Sequence, residues 1–154
     1  MLKVGDTAPE FTAQDQHGAT LTLVSLLARG RLILYFYPKD FTPVCTAQAC
    51  TFRDASTELG TLSANVVGVS GDKEESHQRF AEKHSVPFSL IADPERRIIK
   101  AYGAAMPILG RTLRVTYVID TNRRILGAFH HELSAAKHLS DVKAALQASA
   151  VVLR

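Results

Sequence analysis

An unbroken apolar run from Leu32 to Tyr37 is followed by Pro38 and then by the pair Thr42-Pro43. A continuous apolar run of this length is typical of a strand that is buried on both faces, as in the centre of a helix-covered sheet. Threonine is a favourable N-cap, and proline at the first helical position gives up an amide that had no partner. The stretch therefore predicts a central strand that leads directly into a helix.

The same succession of strand, turn and helix recurs along the chain. Further strands are predicted over residues 65–70, 86–91, 114–120 and 125–130, and the last two form a hairpin. Helices are predicted over residues 72–84, opened by a capping box of Asp72 and Glu75, over 93–102, and over 133–153. Strands that alternate with helices predict an α/β fold with a central mixed β-sheet and helices on both faces.

The N-terminal part adds a short hairpin. Residues 11–22 alternate apolar and polar side chains around a turn at Gln16-His17-Gly18, and a helical turn over 23–28 follows. The chain has 154 residues, of which 46% are hydrophobic, so we expect one domain over residues 1–154.

Charge and hydropathy exclude several classes of protein. The net charge of +3 comes from scattered residues, which argues against nucleic-acid binding. The start of the chain has no apolar signal core, and the longest apolar run is too short to span a bilayer. We therefore expect a cytoplasmic protein without a membrane segment. Two cysteines close in sequence favour redox or catalytic use over a structural disulfide framework.

Cys45 is the third residue of the helix that begins at Pro43. Unpaired backbone N–H groups and the positive end of the helix dipole favour the thiolate there, which predicts a nucleophilic cysteine. The helical pattern places Cys45 on the core side and Cys50 away from it. Five helical residues separate two Cα atoms by roughly 8 to 9 Å, whereas a disulfide tolerates about 7 Å. A Cys45–Cys50 disulfide would therefore require the first turns of the helix to unwind.

Other interpretations of the polar residues are weaker. A zinc site lacks a second cysteine pair and suitably spaced histidines, and the six histidines are expected at the surface. Ser70 lacks the sequence pattern of a hydrolase nucleophile. Arg114 opens an apolar strand, where a fixed cation can stabilise a thiolate and a developing oxyanion, although Arg111 competes for this role.

The residues Pro38-x-x-x-Thr42-x-x-Cys45 resemble the active-site motif of peroxiredoxins. The longer string over residues 36–54, together with residues 114–120 and the opening Gly5-Asp6-x-Ala8-Pro9-x-Phe11, resembles the peroxiredoxin Q or bacterioferritin comigratory protein subfamily over essentially the whole chain.

The resemblance implies a thioredoxin-like fold and a thiol peroxidase that needs no metal or organic cofactor. Cys45 would be the peroxidatic cysteine and Cys50 the resolving cysteine, which together form an intramolecular disulfide. Thr42 would hydrogen-bond the thiolate and the peroxide, Arg114 would orient both, and Pro38 would shield the pocket. The implied partners are hydrogen peroxide or an organic hydroperoxide and thioredoxin or a similar dithiol reductant. The implied state is a monomer.

Two residues depart from the pattern of many subfamily members, which have glycine in place of Val44 and glutamate in place of Gln48. Two other functions stay open at this point. A thioredoxin-like thiol-disulfide oxidoreductase without peroxidase activity would be expected to use Cys-x-x-Cys. A binding or holdase protein would use the apolar loop over residues 103–110, which contains Met106, Ile108 and Leu109.

Overall fold

A seven-stranded mixed sheet forms the centre of the molecule in the part of the chain that the structure, a computed structural model, describes. The described residues are 1–107 and 110–152, with 150–152 described by backbone alone. The strands are β1 Thr12–Gln14, β2 Thr20–Thr22, β3 Arg31–Phe36, β4 Ala64–Ser70, β5 Ser89–Ala92, β6 Val115–Ile119 and β7 Ile125–His130. The helices are α1 Leu23–Leu27, α2 Pro43–Thr61, α3 Glu74–His84, α4 Arg97–Ala101 and α5 Ala135–Val152.

The strand order is β2-β1-β5-β4-β3-β6-β7. Strands β3, β4 and β5 are parallel, whereas β6 and β7 on one side and β1 and β2 on the other are antiparallel. The predicted mixed sheet and the N-terminal hairpin, in which Thr12 is opposite Thr22, are both confirmed.

Helices cover both faces of the sheet, because the central strands are apolar on both. In β3, Leu32, Leu34 and Phe36 join one core with α1 and α4. Ile33 and Tyr35 join the other core with α2 and α5. All six residues of β3 are buried, so the prediction of a central strand is confirmed. No helix in the described ranges has the length and apolar character needed to cross a bilayer.

The predicted capping box before α3 is wrong. The helix begins at Glu74 with Lys73 at the N-cap position and has no side-chain cap bond. The Asp72 carboxylate is used elsewhere, because its Oδ2 accepts from the Ser70 hydroxyl at 2.6 Å and from the Asp40 N–H at 2.9 Å.

Three other elements begin two to four residues later than predicted. Strand β5 begins at Ser89, because Val86 still donates its N–H to Ala81 at the end of α3. Helix α4 begins at Arg97, because Arg96 has a left-handed φ of 62° that interrupts the helical path. Helix α5 begins at Ala135 and follows Ser134, whose hydroxyl oxygen accepts from the Lys137 N–H. The predicted helix end at Leu153 lies outside the described residues.

The expectation of surface histidines is wrong for His77 and His138, which are both completely buried. Burial of an imidazole requires hydrogen-bond partners, and both rings have them. His77 contacts Asp40 and the carbonyl of Ile91, and His138 contacts Thr116 and the carbonyl of His131. Apart from His131, these partners lie far along the chain from the histidine that they contact. The local sequence therefore gave no sign that the two histidines are buried.

Candidate active site

Cys45 lies at the start of α2, where it is 1% exposed and belongs to the core between α2, α5 and the sheet. It is the third helical residue, as predicted. The first N–H of α2 to reach a carbonyl of the preceding turn is that of Thr46, which donates to Thr42 at 2.9 Å. The amides of Val44 and Cys45 therefore have no partner within the helix and can stabilise negative charge nearby.

Thr42 occupies the N-cap position with extended backbone, but the predicted cap hydrogen bond is absent. Its hydroxyl instead donates to the Lys39 carbonyl at 2.8 Å. The single hydroxyl proton is thereby committed, so Oγ1 presents only lone pairs to a molecule beside it. This arrangement leaves the free amides at the start of α2 unblocked by the Thr42 side chain.

Arg114 lies against the sulfur of Cys45. Its Nη1 is 3.2 Å from Cys45 Sγ and 3.1 Å from Gln48 Oε1. The side chain is buried, and in the described part of the chain its guanidinium forms no ion pair with a carboxylate. A buried cation without a carboxylate partner favours an anion at the neighbouring sulfur, because burial raises the cost of an unpaired charge.

Glu132 holds Arg114 in place, and sequence reasoning missed it. The Arg114 N–H donates to Glu132 Oε2 at 2.8 Å, and Arg114 Nε donates to the Glu132 carbonyl at 2.9 Å. Burial opposes ionisation of Glu132, but hydrogen bonds from the Arg114 N–H and from His130 lower its pKa below the ordinary value. The pairing of Val115 with His130 in the β6–β7 ladder brings these residues together, so only the strand register could have indicated Glu132.

Gln48 is completely buried one turn after Cys45. Its Oε1 accepts from Arg114, whereas its Nε2 has no hydrogen-bond partner among the described residues. The sequence marked Gln48 as a departure from a family pattern but did not indicate this contact. A neutral amide here fixes the position of Arg114 without neutralising its charge.

A cavity of about 540 Å³ is lined by Arg114, which contacts Cys45, and by Val44, which precedes Cys45 in the chain. The structure brings several of the predicted site residues together at the opening of this cavity. Its lining includes Pro38, Thr42, Val44, Arg111 and Arg114. Met106 from the predicted apolar loop also lines it, whereas Ile108 and Leu109 lie outside the described residues. Neither Cys45, which is almost completely buried, nor Cys50 is among the lining residues.

A second polar cluster anchors the loop before α2. The Asp40 carboxylate accepts from the hydroxyls of Tyr37 at 2.6 Å and Ser76 at 2.8 Å, and it lies 2.7 Å from His77 Nδ1. His77 Nε2 is 3.0 Å from the Ile91 carbonyl, which can only accept, so Nε2 is the donor in this contact. His77 and Asp40 therefore form a buried pair that is joined at both ends to the fold.

This cluster resembles other kinds of site only superficially. Asp40, Asp72 and His77 offer potential metal ligands within 4.8 Å of one another, but both His77 nitrogens already have hydrogen-bond partners within the protein. Ser70 Oγ is 3.5 Å from His77 Nε2, as in a hydrolase, yet Ser70 is completely buried and donates to Asp72. The geometry fits a structural network that fixes the start of α2.

Cys50 is half-buried and lies on the same unbroken helix as Cys45. Both thiols are free. Since α2 is continuous from Pro43 to Thr61, five helical residues keep the two Cα atoms roughly 8 to 9 Å apart. This separation is beyond the reach of a disulfide, so the predicted conflict between helix and disulfide is present in the folded chain.

A mixed sheet flanked by helices, with a buried thiol at a helix start beside a guanidinium, defines a thiol-based redox protein. Comparison with known proteins identifies the family within this class. A family model described as the AhpC/TSA family matches residues 4–127. A chloroplastic peroxiredoxin Q from Sedum lineare is 39% identical over 145 residues, which are 93% of this chain and 77% of that protein.

Two solved structures extend the similarity to three dimensions. The peroxidoxin BcpB of Mycobacterium tuberculosis has a TM-score of 0.91 at 35% identity, covering 96% of this chain and 98% of that one. The bacterioferritin comigratory protein of Xanthomonas campestris, described for its alkyl peroxide reduction, has a TM-score of 0.82 at 28% identity, covering 91% and 92%.

The chain belongs to the AhpC/TSA family, within the peroxiredoxin Q and bacterioferritin comigratory protein group. It is a thiol-dependent peroxidase, and the thioredoxin-like fold implied by the sequence resemblance is confirmed. The alternative of an oxidoreductase without peroxidase activity is not favoured.

Proposed function

We propose that Cys45 is the peroxidatic cysteine and that it reduces hydrogen peroxide and organic hydroperoxides. The observation that carries this proposal is the 3.2 Å contact between Cys45 Sγ and the buried guanidinium of Arg114. The thiolate attacks the terminal peroxide oxygen, the O–O bond breaks, and sulfur is oxidised to sulfenic acid. The leaving alkoxide or hydroxide takes a proton and departs as an alcohol or water.

Arg114 and Thr42 hold the peroxide during this attack. The guanidinium stabilises the sulfur anion and the negative charge that develops on the leaving oxygen. The Thr42 hydroxyl donates its hydrogen bond to the Lys39 carbonyl. Its oxygen therefore accepts a hydrogen bond from the protonated peroxide oxygen. Pro38 limits access of water to the sulfur from its side of the cavity.

Cys50 resolves the sulfenic acid. Its thiol attacks the oxidised sulfur of Cys45, a disulfide forms, and water leaves. Thioredoxin or a similar dithiol then reduces the disulfide and is itself oxidised. Because both cysteines lie on one chain, the cycle needs no second subunit, and the proposed state is a monomer. The cytoplasmic location stays a prediction, since the plant relatives are named chloroplastic.

The test is peroxide consumption with reduced thioredoxin for the wild type, Cys45→Ser and Cys50→Ser. We expect no consumption by Cys45→Ser and a single turnover by Cys50→Ser. Thr57→Ser, an equally small change on the exposed side of α2, is the control and keeps full turnover. Normal turnover by Cys45→Ser would disprove the peroxidatic role, and sustained turnover by Cys50→Ser would disprove the resolving role.

A further inference from the structure

The part of the chain that carries both cysteines contacts helix α3 at both of its ends. Phe41 lies just before α2, and Arg53 lies three residues after Cys50. Both side chains reach the last turns of α3, around His84. Residues 41–53, which we call the cysteine segment, therefore lie between two contacts to the end of one helix.

Phe41 packs on α3 through its ring. The ring meets that of Phe80 edge to face, with centroids 5.3 Å apart and planes at 88°. It lies 6.5 Å from the His84 ring, and Lys83 Nζ is 5.9 Å from its centroid. Phe80 is completely buried in a core that also contains Ala49 of α2. The Phe41 ring therefore holds the chain before α2 against the core that the helix itself uses.

The Phe41 contact is at the surface, and its backbone is strained. Phe41 is 45% exposed, and its φ of 67° lies in the left-handed region that bulky side chains avoid. Water can reach the ring, and release of the ring allows the backbone to return to an ordinary conformation. The contact at this end of the cysteine segment is therefore one that opens readily.

Arg53 makes a contact of a different kind. Its Nη1 donates to the His84 carbonyl at 2.7 Å, and its Nε donates to Asp54 at 2.9 Å. His84 is the last residue of α3, where carbonyls have no partner within the helix and the helix dipole favours a cation. The guanidinium therefore holds the body of α2 to the end of α3.

We propose that the end of α3 controls the resolving step, with Phe41 as the contact that opens and Arg53 as the contact that stays. This inference rests on the proposed function, in which Cys50 attacks the sulfenic acid at Cys45. Opening at Phe41 lets the first turns of α2 unwind, and Arg53 stops the unwinding just after Cys50. The S–S bond then forms, the S–O bond breaks and water leaves, so the step needs no further reactant.

The first test compares Phe41→Ala with Phe41→Tyr, which keeps the ring. Rapid-quench mass spectrometry after mixing with hydrogen peroxide gives two rate constants, one for oxidation of Cys45 and one for disulfide formation. Loss of the aromatic contact favours the unwound helix, so we expect Phe41→Ala to form the disulfide about 5-fold faster. Oxidation of Cys45 should keep its wild-type rate, because Phe41 is not one of the described residues that line the cavity at Arg114. Phe41→Tyr should match the wild type in both rates.

Overoxidation gives a second measure of the same step. The sulfenic acid either condenses with Cys50 or reacts with a second peroxide, whose O–O bond breaks as the sulfur becomes a sulfinic acid. At high peroxide, the sulfinic fraction should therefore fall in Phe41→Ala but not in Phe41→Tyr. Val24→Ala removes another exposed apolar side chain, on α1, and should leave both rates and the sulfinic fraction unchanged.

The second test is Arg53→Gln, with Arg79→Gln as its matched control, because Arg79 is an exposed arginine of α3. The measurement is hydrogen exchange of the disulfide form. Loss of amide protection should end near residue 53 in the wild type and in Arg79→Gln, and it should extend further along α2 in Arg53→Gln.

A wild-type rate of disulfide formation in Phe41→Ala, or an equal increase in Phe41→Tyr, would overturn the role of Phe41. An unchanged boundary of protection in Arg53→Gln would overturn the role of Arg53. Either result would leave the peroxidase function intact, whereas absence of Cys45 oxidation in the wild type would overturn the proposed function itself.

Discussion

The Arg114 guanidinium makes its contacts with a sulfur, a side-chain amide oxygen and a backbone carbonyl, rather than with a carboxylate. These three acceptors lie in different directions, and the planar fork of arginine reaches all of them at once. Gln48 supplies one of them as a neutral group, so it orients the cation without cancelling its charge. The proposed chemistry of Cys45 therefore depends on the shape of the Arg114 side chain as much as on its charge.

Arg114→Lys tests the importance of that shape. Lysine keeps the positive charge but cannot contact Cys45 Sγ, Gln48 Oε1 and the Glu132 carbonyl together. We expect the rate constant for oxidation of Cys45 by hydrogen peroxide to fall about 100-fold, a loss similar to removal of one oxyanion donor in other enzymes. Stopped-flow kinetics of the reduced protein measures this rate.

Arg123→Lys is the control for the same substitution elsewhere. Arg123 makes two hydrogen bonds to the Ala8 carbonyl, far from the cavity. Arg123→Lys should therefore change the rate of Cys45 oxidation little. Equal losses in the two variants would show that the effect at Arg114 is one of folding rather than orientation.

Helix α2 has two incompatible roles in the proposed cycle. When its first turns are intact, the helix places Cys45 at free amides beside Arg114. Disulfide formation with Cys50 requires those same first turns to open, since the intact helix holds the cysteines too far apart. In the proposed cycle, the stability of the first turns of α2 therefore controls the step that follows peroxide reduction.

Oxidation should loosen this segment. We expect amides over residues 42–52 to lose hydrogen-exchange protection in the oxidised protein compared with the reduced one. Peroxide-treated Cys50→Ser cannot form the disulfide and should retain protection. Identical protection in the oxidised and reduced wild type would rule out the unwinding mechanism.

Asp40 stabilises the intact start of α2. Its carboxylate lies just before the helix and contacts Tyr37, Ser76 and His77. Asp40→Asn removes a buried carboxylate that accepts from two hydroxyls and lies against His77, and a buried polar group left without its partner costs about 1 to 3 kcal/mol. We expect a loss of about 3 kcal/mol in the free energy of unfolding, measured by urea denaturation, together with faster exchange at the start of α2. The same change at exposed Asp54, on α2 itself, should cost less than about 0.5 kcal/mol. Equal losses at both positions would contradict the anchoring role.

Helix α5 is connected to strand β6 of the sheet by a hydrogen bond between His138 and Thr116. His138 Nδ1 is 2.8 Å from the Thr116 hydroxyl, and its Nε2 is 2.8 Å from the His131 carbonyl. Burial lowers the pKa of His138 to about 4, although its hydrogen bond to the His131 carbonyl acts in the opposite direction. The nearby charges of His131 and Arg114 lower the pKa further, and the charge of Asp141 raises it by a smaller amount. The folded state therefore holds His138 neutral.

This neutral histidine makes stability depend on pH. The folded pKa is depressed, so the contribution of His138 is fully present above the unfolded value of about 6.5 and is lost as the pH falls towards 4. We expect the wild type to lose about 2 kcal/mol of unfolding free energy from this group between pH 7.5 and 5.0. Urea denaturation at the two pH values checks this loss. His138→Gln has no titrating group and should lose correspondingly less, and an equal loss would contradict the assignment.

Much of this arrangement was predictable from local sequence. The apolar run before Pro38, the Thr42-Pro43 pair and the helical spacing of Cys45 predicted a central strand, a helix that begins at Pro43, and a core-facing thiol. The capping box at Asp72 was wrong because the carboxylate has a better use across the fold, where Asp40 and Ser70 are its donors. Buried His77 and His138 were missed for the same reason, since their main partners lie on other elements.

Sequence alone predicted the order and type of the main strands and helices, although not every first residue. It also predicted where the helix with both cysteines begins and that these cysteines cannot bond while the helix is intact. These properties follow from backbone geometry and from apolar periodicity, which act over a few residues. The tertiary structure was needed to show that Arg114 contacts the sulfur, that Gln48 and Glu132 hold Arg114, and that Arg111 lines the same cavity. Pairing of β6 with β3 and β7 brings together groups separated by many residues of chain, and no local pattern carries that register.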